Sequence, residues 1–178
     1  MFNISLKKNI PRRNVEMSLL LKAQAELRFA YEDIREDSTI ITNDSLSFFE
    51  YASFNFEDDD DTTLYRLHIG DVISINVEDG DNFAIIRAIF CHQKNDLRFA
   101  FIIVDWFEEL NQTRLSCPVY KLQTTNDTNW RRVFSISLVN ANNFTHFVHS
   151  CKGEECIGSN HNLRNDLYIQ NLYFFKAV

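Results

Sequence analysis

The chain has 178 residues, 45% of them hydrophobic, with 16 Phe but only 4 Gly and 2 Pro, so it encodes a globular domain with a proper core and not a disordered or low-complexity segment. Its formal net charge of -7 argues against a protein that grips nucleic-acid phosphates, which needs a basic face, and suits a basic protein partner. Four Cys without an apolar leader, and no apolar run long enough to span a bilayer, predict an intracellular chain with reduced thiols.

In chain order, residues 1–13 read as a solvated terminus with Lys7, Lys8, Arg12 and Arg13 as a basic lead-in. Asn14 is placed to cap a helix over about 15–37, with Glu16 in the first turn where a carboxylate favours the helix dipole. Leu20, Ala23, Leu27, Tyr31 and Ile34 recur at helical spacing and form one apolar stripe, expected to pack on the rest of the chain. Residues 1–44 are therefore read as an extension with one helix, and 45–178 as the main domain.

Leu46–Phe56 alternates as a strand and Leu64–Leu67 resumes it. Between them Glu57-Asp58-Asp59-Asp60-Asp61 is expected as a solvated hairpin tip, since like charges repel and stay in water. Ile69–Val77 alternates with Ile73, Ile75 and Val77 on one face. Glu78-Asp79-Gly80-Asp81-Asn82 then forms a turn, because Asp-Gly between alternating runs is a strong hairpin signal. Phe83–Phe90 and Leu97–Phe107 are apolar on both faces, the mark of strands buried between layers. Glu108–Thr113 reads as a loop or short turn, Leu115–Leu122 as a short helix or irregular element broken by Pro118, and Thr124–Asn129 as a loop. Val133–Val139 and Phe144–Val148 are expected strands, Gly153–Asn165 a long polar loop, and Leu167–Phe175 the closing strand.

The residues that could carry chemistry are few. His146-x-x-His149-x-Cys151, then Cys156 and His161, is the richest cluster, because zinc takes Cys and His ligands supplied as close pairs. The spacings match no standard finger, and alternation sets His146 opposite His149 and Cys151. His149, Cys151, Cys156 and His161 are the weak metal candidates, set against ordinary thiols and loop histidines. Serine elbows and Gly-rich phosphate loops are missing from the sequence, so the expectation is a protein that is not an enzyme and takes no cofactor. Trp130-Arg131-Arg132 offers an anion or peptide contact, or simply the entry to the Val133 strand with Trp130 half-buried. The Asn-x-Ser/Thr triplets at Asn43, Asn111, Asn126 and Asn143 are taken as chance in an Asn-rich chain.

An ordered set of motifs runs from Phe48 to the C-terminus: Phe48-Phe49-Glu50-Tyr51, Ile69-Gly70-Asp71-Val72-Ile73-Ser74-Ile75, Asp79-Gly80, Phe83-Ala84-Ile85-Ile86-Arg87-Ala88-Ile89, Val104-Asp105-Trp106-Phe107, Val133-Phe134-Ser135-Ile136, Phe147-Val148-His149 and Tyr173-Phe174-Phe175. This set resembles the bromo-adjacent homology (BAH) family. The resemblance implies an all-β, distorted β-barrel preceded by a helical extension, in the nucleus, acting as a non-enzymatic chromatin-associated interaction module. Its partner would be a histone tail or a chromatin-complex protein, with no membrane or direct nucleic-acid contact.

Some members of that family hold a methylated lysine in an aromatic cage, because ring faces attract the cation. Carried over residue by residue, Trp106 matches the first wall and Glu108 stands where a second aromatic would be. The third wall falls on Asn82 or Phe83. Tyr51, Tyr65 or Tyr120 are available as substitutes. The expected ligand-binding residues are thus Trp106, Phe83, Glu108 and Tyr51, with Glu108 as a counter-charge; the reading requires Trp106, Phe83 and Glu108 to line one open pocket. The other reading of Trp106 is a core tryptophan whose indole N–H finds a local acceptor. Two other functions remain open: a scaffold or oligomerisation module of a mobile-element or replication protein that binds through the helix stripe, and a small zinc-binding protein or hydrolase.

Overall fold

A computed structural model describes residues 4–36, 46–58, 61–77, 80–94, 96–123, 130–140, 145–150 and 167–173. Among them are eleven strands and one α-helix, so the chain is all-β in character with a single helix laid on the sheet. The strands are β1 (Ile4–Ile10), β2 (Leu46–Asp58), β3 (Asp61–His68), β4 (Val72–Val77), β5 (Gly80–Lys94), β6 (Leu97–Arg114), β7 (Cys117–Gln123), β8 (Val133–Ser135), β9 (Val139–Asn140), β10 (Phe147–His149) and β11 (Leu167–Gln170). The main path runs β1-β2-β5-β6-β7-β11-β10, every ladder is antiparallel, and the sheet is open.

The strongest elements follow from their side-chain period. On β6, Ile102, Val104 and Trp106 face one core while Phe101, Ile103 and Phe107 face the opposite side. β5 matches this only because its register shifts between Ile86 and Ala88. One extra residue at that bulge lets Ala84, Ile86 and Ile89 all enter the first core while Ala88 and Phe90 enter the second. Both strands are therefore apolar on both faces because both faces are covered, as their composition implies.

The helix α1 (Met17–Asp33) covers the second core. Leu20, Ala23, Leu27, Ala30 and Tyr31 are buried against Phe90, Phe101, Ile103 and Val133. The stripe thus packs in cis, and Leu27 and Tyr31 are closed to any partner. Several local expectations are corrected. Asn14 does not cap α1: it lies in a 3-10 turn (Arg12–Asn14) whose N–H donates to the Pro11 carbonyl at 2.8 Å. Glu16 takes the N-cap position without a side-chain cap bond, and the helix ends at Asp33, with Arg35 at a φ of 56°.

The basic lead-in is also corrected. Ile4–Ile10 pairs with Phe48–Phe54 of β2, and Lys8 bonds Glu50 at 3.0 Å. Ile4 and Leu6 pack on the first core, which the polar look of the segment conceals. Glu108–Thr113 is a continuation of β6, and Cys117–Gln123 is a strand, not a helix. Pro118 is tolerated because it stands one residue inside β7. Val133–Val139 is interrupted by a 3-10 turn (Ile136–Leu138), where the Ser135 hydroxyl accepts from the Ser137 N–H at 3.3 Å. The described last strand stops at Gln170, and Thr145 and His146 precede β10 instead of belonging to it. The loops expected at Thr124–Asn129 and Gly153–Asn165 lie outside the described residues. No helix among the described residues is long and apolar enough to cross a membrane.

Candidate functional site: a cleft between two hairpins

β2 and β5 pair only over Leu46–Phe49 and then diverge. The wedge they leave is lined by one hairpin partner on each side: β3 runs along β2, and β4 runs along β5. The two hairpins are joined by Ile69, Gly70 and Asp71. Gly70 holds a φ of 95°, a conformation that L side chains resist, although a Cβ there would meet nothing within 4 Å. Its N–H donates to the Ile86 carbonyl at 2.8 Å, and the Ile86 N–H donates to the Asp71 carbonyl at 2.9 Å. The Asp71 carboxylate accepts the His68 N–H at 2.7 Å. This linkage pins the base of the wedge. Above it β3 and β4 do not pair.

The space between them is an open cleft of about 680 Å³. One wall is Phe54, Tyr65, Arg66 and Leu67; the opposite wall is Val72, Ile73, Val139 and Asn140; Thr145, His146 and Phe147 close one side. Phe54 and Tyr65 are cross-strand partners and stack at 5.9 Å. Phe147 is fixed by stacking on Phe107 at 4.3 Å, and His146 Nδ1 lies 3.2 Å from Asn171 Nδ2. The lining is thus mainly aromatic and aliphatic, with Arg66, Asp71, Asn140, Thr145 and His146 as its polar members, and its ring faces suit an apolar or cationic side chain. Both hairpins close at the same end, at Asp58↔Asp61 and Val77↔Gly80. The sequence through those two ends reads Glu57-Asp58-Asp59-Asp60-Asp61 and Glu78-Asp79-Gly80-Asp81.

The structure does not bring the sequence-derived residues together. Trp106 is 7% exposed in the first core, edge-on to Phe134, and its indole N–H donates to the Arg131 carbonyl at 2.7 Å. It matches the core-tryptophan reading. Phe83 lies on the opposite face, beside Tyr120 and Phe147. The Glu108 carboxylate accepts from the Gln123 side chain and faces Lys121 across the ladder. Tyr51 stands on β2 with the Arg66 guanidinium 5.5 Å over its ring and His68 at 5.4 Å. These four residues line no shared pocket, and none lines the cleft, so the requirement of one open pocket for Trp106, Phe83 and Glu108 is not met.

Of the metal candidates, His149 packs edge-on against Tyr168, while Cys151, Cys156 and His161 lie outside the described residues. Among the described residues no three His, Cys, Asp or Glu gather to hold a metal ion. Cys91 is a buried thiol whose pKa burial pushes up, against the lowering pull of Arg98. It lies in a second cleft of about 600 Å³ between β1, the end of α1 and the β5–β6 hairpin.

Trp130-Arg131-Arg132 proves to be an internal hub. The Arg132 guanidinium, fully buried, donates to the Asp105 carboxylate and to the Gln123 carbonyl at 2.9 Å. Asp105 also pairs with Arg87 at 3.3 Å. Glu26 of α1 accepts the Arg132 and Val133 N–H groups at 2.7 and 3.1 Å, and Arg131 forks onto Asp33. Trp130 is 45% exposed. Sequence reasoning found this entry segment but missed the cleft. Its walls come from four separate strands; Tyr65 had been named as a substitute cage wall, His146 as part of a Cys/His cluster, and Gly70–Ile73 and Phe147 within the ordered motifs, but nothing in the sequence joined them.

Compared with protein-family models, curated proteins and solved structures, the chain matches none.

Proposed function

We propose that this chain is a non-enzymatic protein-interaction module, a BAH-like distorted barrel left open at one seam, and that the seam is its receptor. The partner is a basic peptide of a chromatin complex, such as a histone tail, in the nucleus. The observation that carries this reading is the open cleft between β3 and β4, with Phe54, Tyr65 and Phe147 as its aromatic lining, beside two hairpin ends rich in carboxylates. Ring faces and aliphatic walls take an apolar stem or an ammonium head, and the acidic ends draw a basic chain toward them. The ordered BAH-like motifs supply the chromatin context, and the net charge of -7 favours a basic partner over nucleic acid. The receptor residues are those of the cleft, in place of the Trp106-centred cage.

The test is binding of the purified protein to a panel of modified and unmodified histone-tail peptides. Binding is expected to weaken with salt and to fall about tenfold in Tyr65→Ala, the scale of one aromatic contact at a binding centre. Failure of every basic peptide to bind would overturn the proposal.

A further inference from the structure

The β2–β3 hairpin closes with two residues between Asp58 and Asp61, so Asp58↔Asp61 is a pair that exchanges both backbone hydrogen bonds. Alternation then fixes the rest of β3: Thr63, Tyr65 and Leu67 bond toward β2, while Thr62, Leu64, Arg66 and His68 turn their N–H and C=O groups outward. The bonds at the far end agree. Ile69 N–H reaches Glu50 on β2, and the outward groups of His68 are taken by Asp71, its N–H by the carboxylate and its carbonyl by the Asp71 N–H at 3.1 Å. The outward backbone groups of Leu64 and Arg66 have no partner among the described residues. They border the cleft, whose far wall includes β9.

An edge of this kind is normally blunted, because it is a template for another strand. The path-end edges β1 and β10 are, and the off-path edges β8 and β9 are only three and two residues long. β1 carries Lys7 and Lys8 and is kinked at Lys8, with a φ of 55°, where the residue drops out of the ladder. β10 has three residues. β3 has eight, without Pro, Gly or a bulge, and Leu64 on it is 61% exposed.

We infer that the partner binds by strand addition: an extended basic peptide pairs with the outer edge of β3. Backbone bonds to Leu64 and Arg66 hold it, while alternate side chains enter the cleft beside Tyr65 and Leu67. The occupant is a basic segment because the chain carries a net charge of -7 and the Glu57-Asp58-Asp59-Asp60-Asp61 run leads into β3 in the sequence. This rests on the cleft being the receptor and adds the mode of recognition.

The probe is a synthetic peptide of alternating lysine and valine with a central phenylalanine, compared with the same peptide methylated on alternate backbone nitrogens in each of the two possible registers. Binding is expected from the unmethylated peptide. One methylated register should bind about tenfold more weakly, the effect of losing one or two backbone hydrogen bonds, while charge and side chains are unchanged. In the wild-type protein the amides of Leu64 and Arg66 should gain protection from hydrogen exchange on binding. Leu64→Pro, which removes an outward N–H without touching the β2 ladder, should lose binding about tenfold while Leu64→Ala stays within about threefold. Binding with both methylated registers unimpaired, and no protection at Leu64 or Arg66, overturns strand addition while leaving the cleft as receptor. No binding of the probe or of any histone-tail peptide overturns both.

Discussion

At the scale of single residues, the hub at Arg132 shows most directly how this chain handles charge. A fully buried guanidinium is tolerated because Asp105 sits against it, on the same face of β6 as Ile103 and Phe107, between the two apolar clusters on that side of the sheet. Removing Arg132 takes from the buried Asp105 the guanidinium that sits against it. Arg132→Ala is expected to lower stability by about 3–5 kcal/mol, measured by urea unfolding. Replacing both, Arg132→Met with Asp105→Leu, should recover most of that loss, since Arg87 is half-exposed and turns to water. A double variant no more stable than the single one would contradict this account of the hub. Trp106 teaches the complementary lesson. Its place at the end of an apolar run was legible, but the strand continues past it to Arg114 and the sequence left two readings of it. The Arg131 carbonyl that takes its N–H lies 25 residues away, a pairing no local pattern reveals.

At the scale of elements, α1 is fastened by its stripe and by polar contacts from Glu26 at its middle, Tyr31 near its end and Asp33 at its last residue. The Tyr31 hydroxyl bonds His92 Nδ1 at 2.7 Å, and its ring sits edge-on to Phe99 and Phe101. Burial pushes the Tyr31 phenol well above its ordinary value of 10.0, with Cys91 and Glu36 adding in the same direction. Above pH 10 the unfolded chain releases a proton that the folded chain retains, so stability falls as pH rises from there. Urea midpoints across pH 8–11 should therefore decline past about 10, and Tyr31→Phe should show a shallower decline from a neutral-pH stability lower by about 1–3 kcal/mol. The decline should not vanish, because burial raises Tyr120 too, helped by Glu109. An alkaline limb unchanged by the substitution would refute the linkage.

The same scale shows which elements could be read in advance. Helix stripe and two-faced strands were visible because burial imposes a period on them; Asp-Gly marked the β4–β5 hairpin through its turn preference, but Gly80, Asp81 and Asn82, expected in the turn, pair as part of β5. β1 was not visible, because Lys7, Lys8 and Asn9 are exposed and its partner β2 comes only after α1, and the outer half of β6 was not, because Glu108–Arg114 are mostly exposed, although its partner β7 follows directly. The bulge at Arg87 was also hidden: two-faced apolarity does not reveal a shift in register.

At the scale of the whole molecule, the arrangement is a sheet covered on one face by α1, with Phe147 of β10 and Tyr168 of β11 packed on Phe107 farther along that face, but left open where β2 and β5 part. The proposed receptor is that opening. It belongs to the topology and not to a motif, which explains why residue-by-residue carry-over pointed to Trp106, Phe83, Glu108 and Tyr51 instead. The most direct test is to titrate the isotope-labelled protein with a basic histone-tail peptide and follow backbone and aromatic shifts. The account predicts changes centred on Tyr65, Leu67, Val72 and Phe147, weakening as salt is raised. Changes centred on Trp106 and Glu108 with the cleft silent, or no change anywhere, would contradict it.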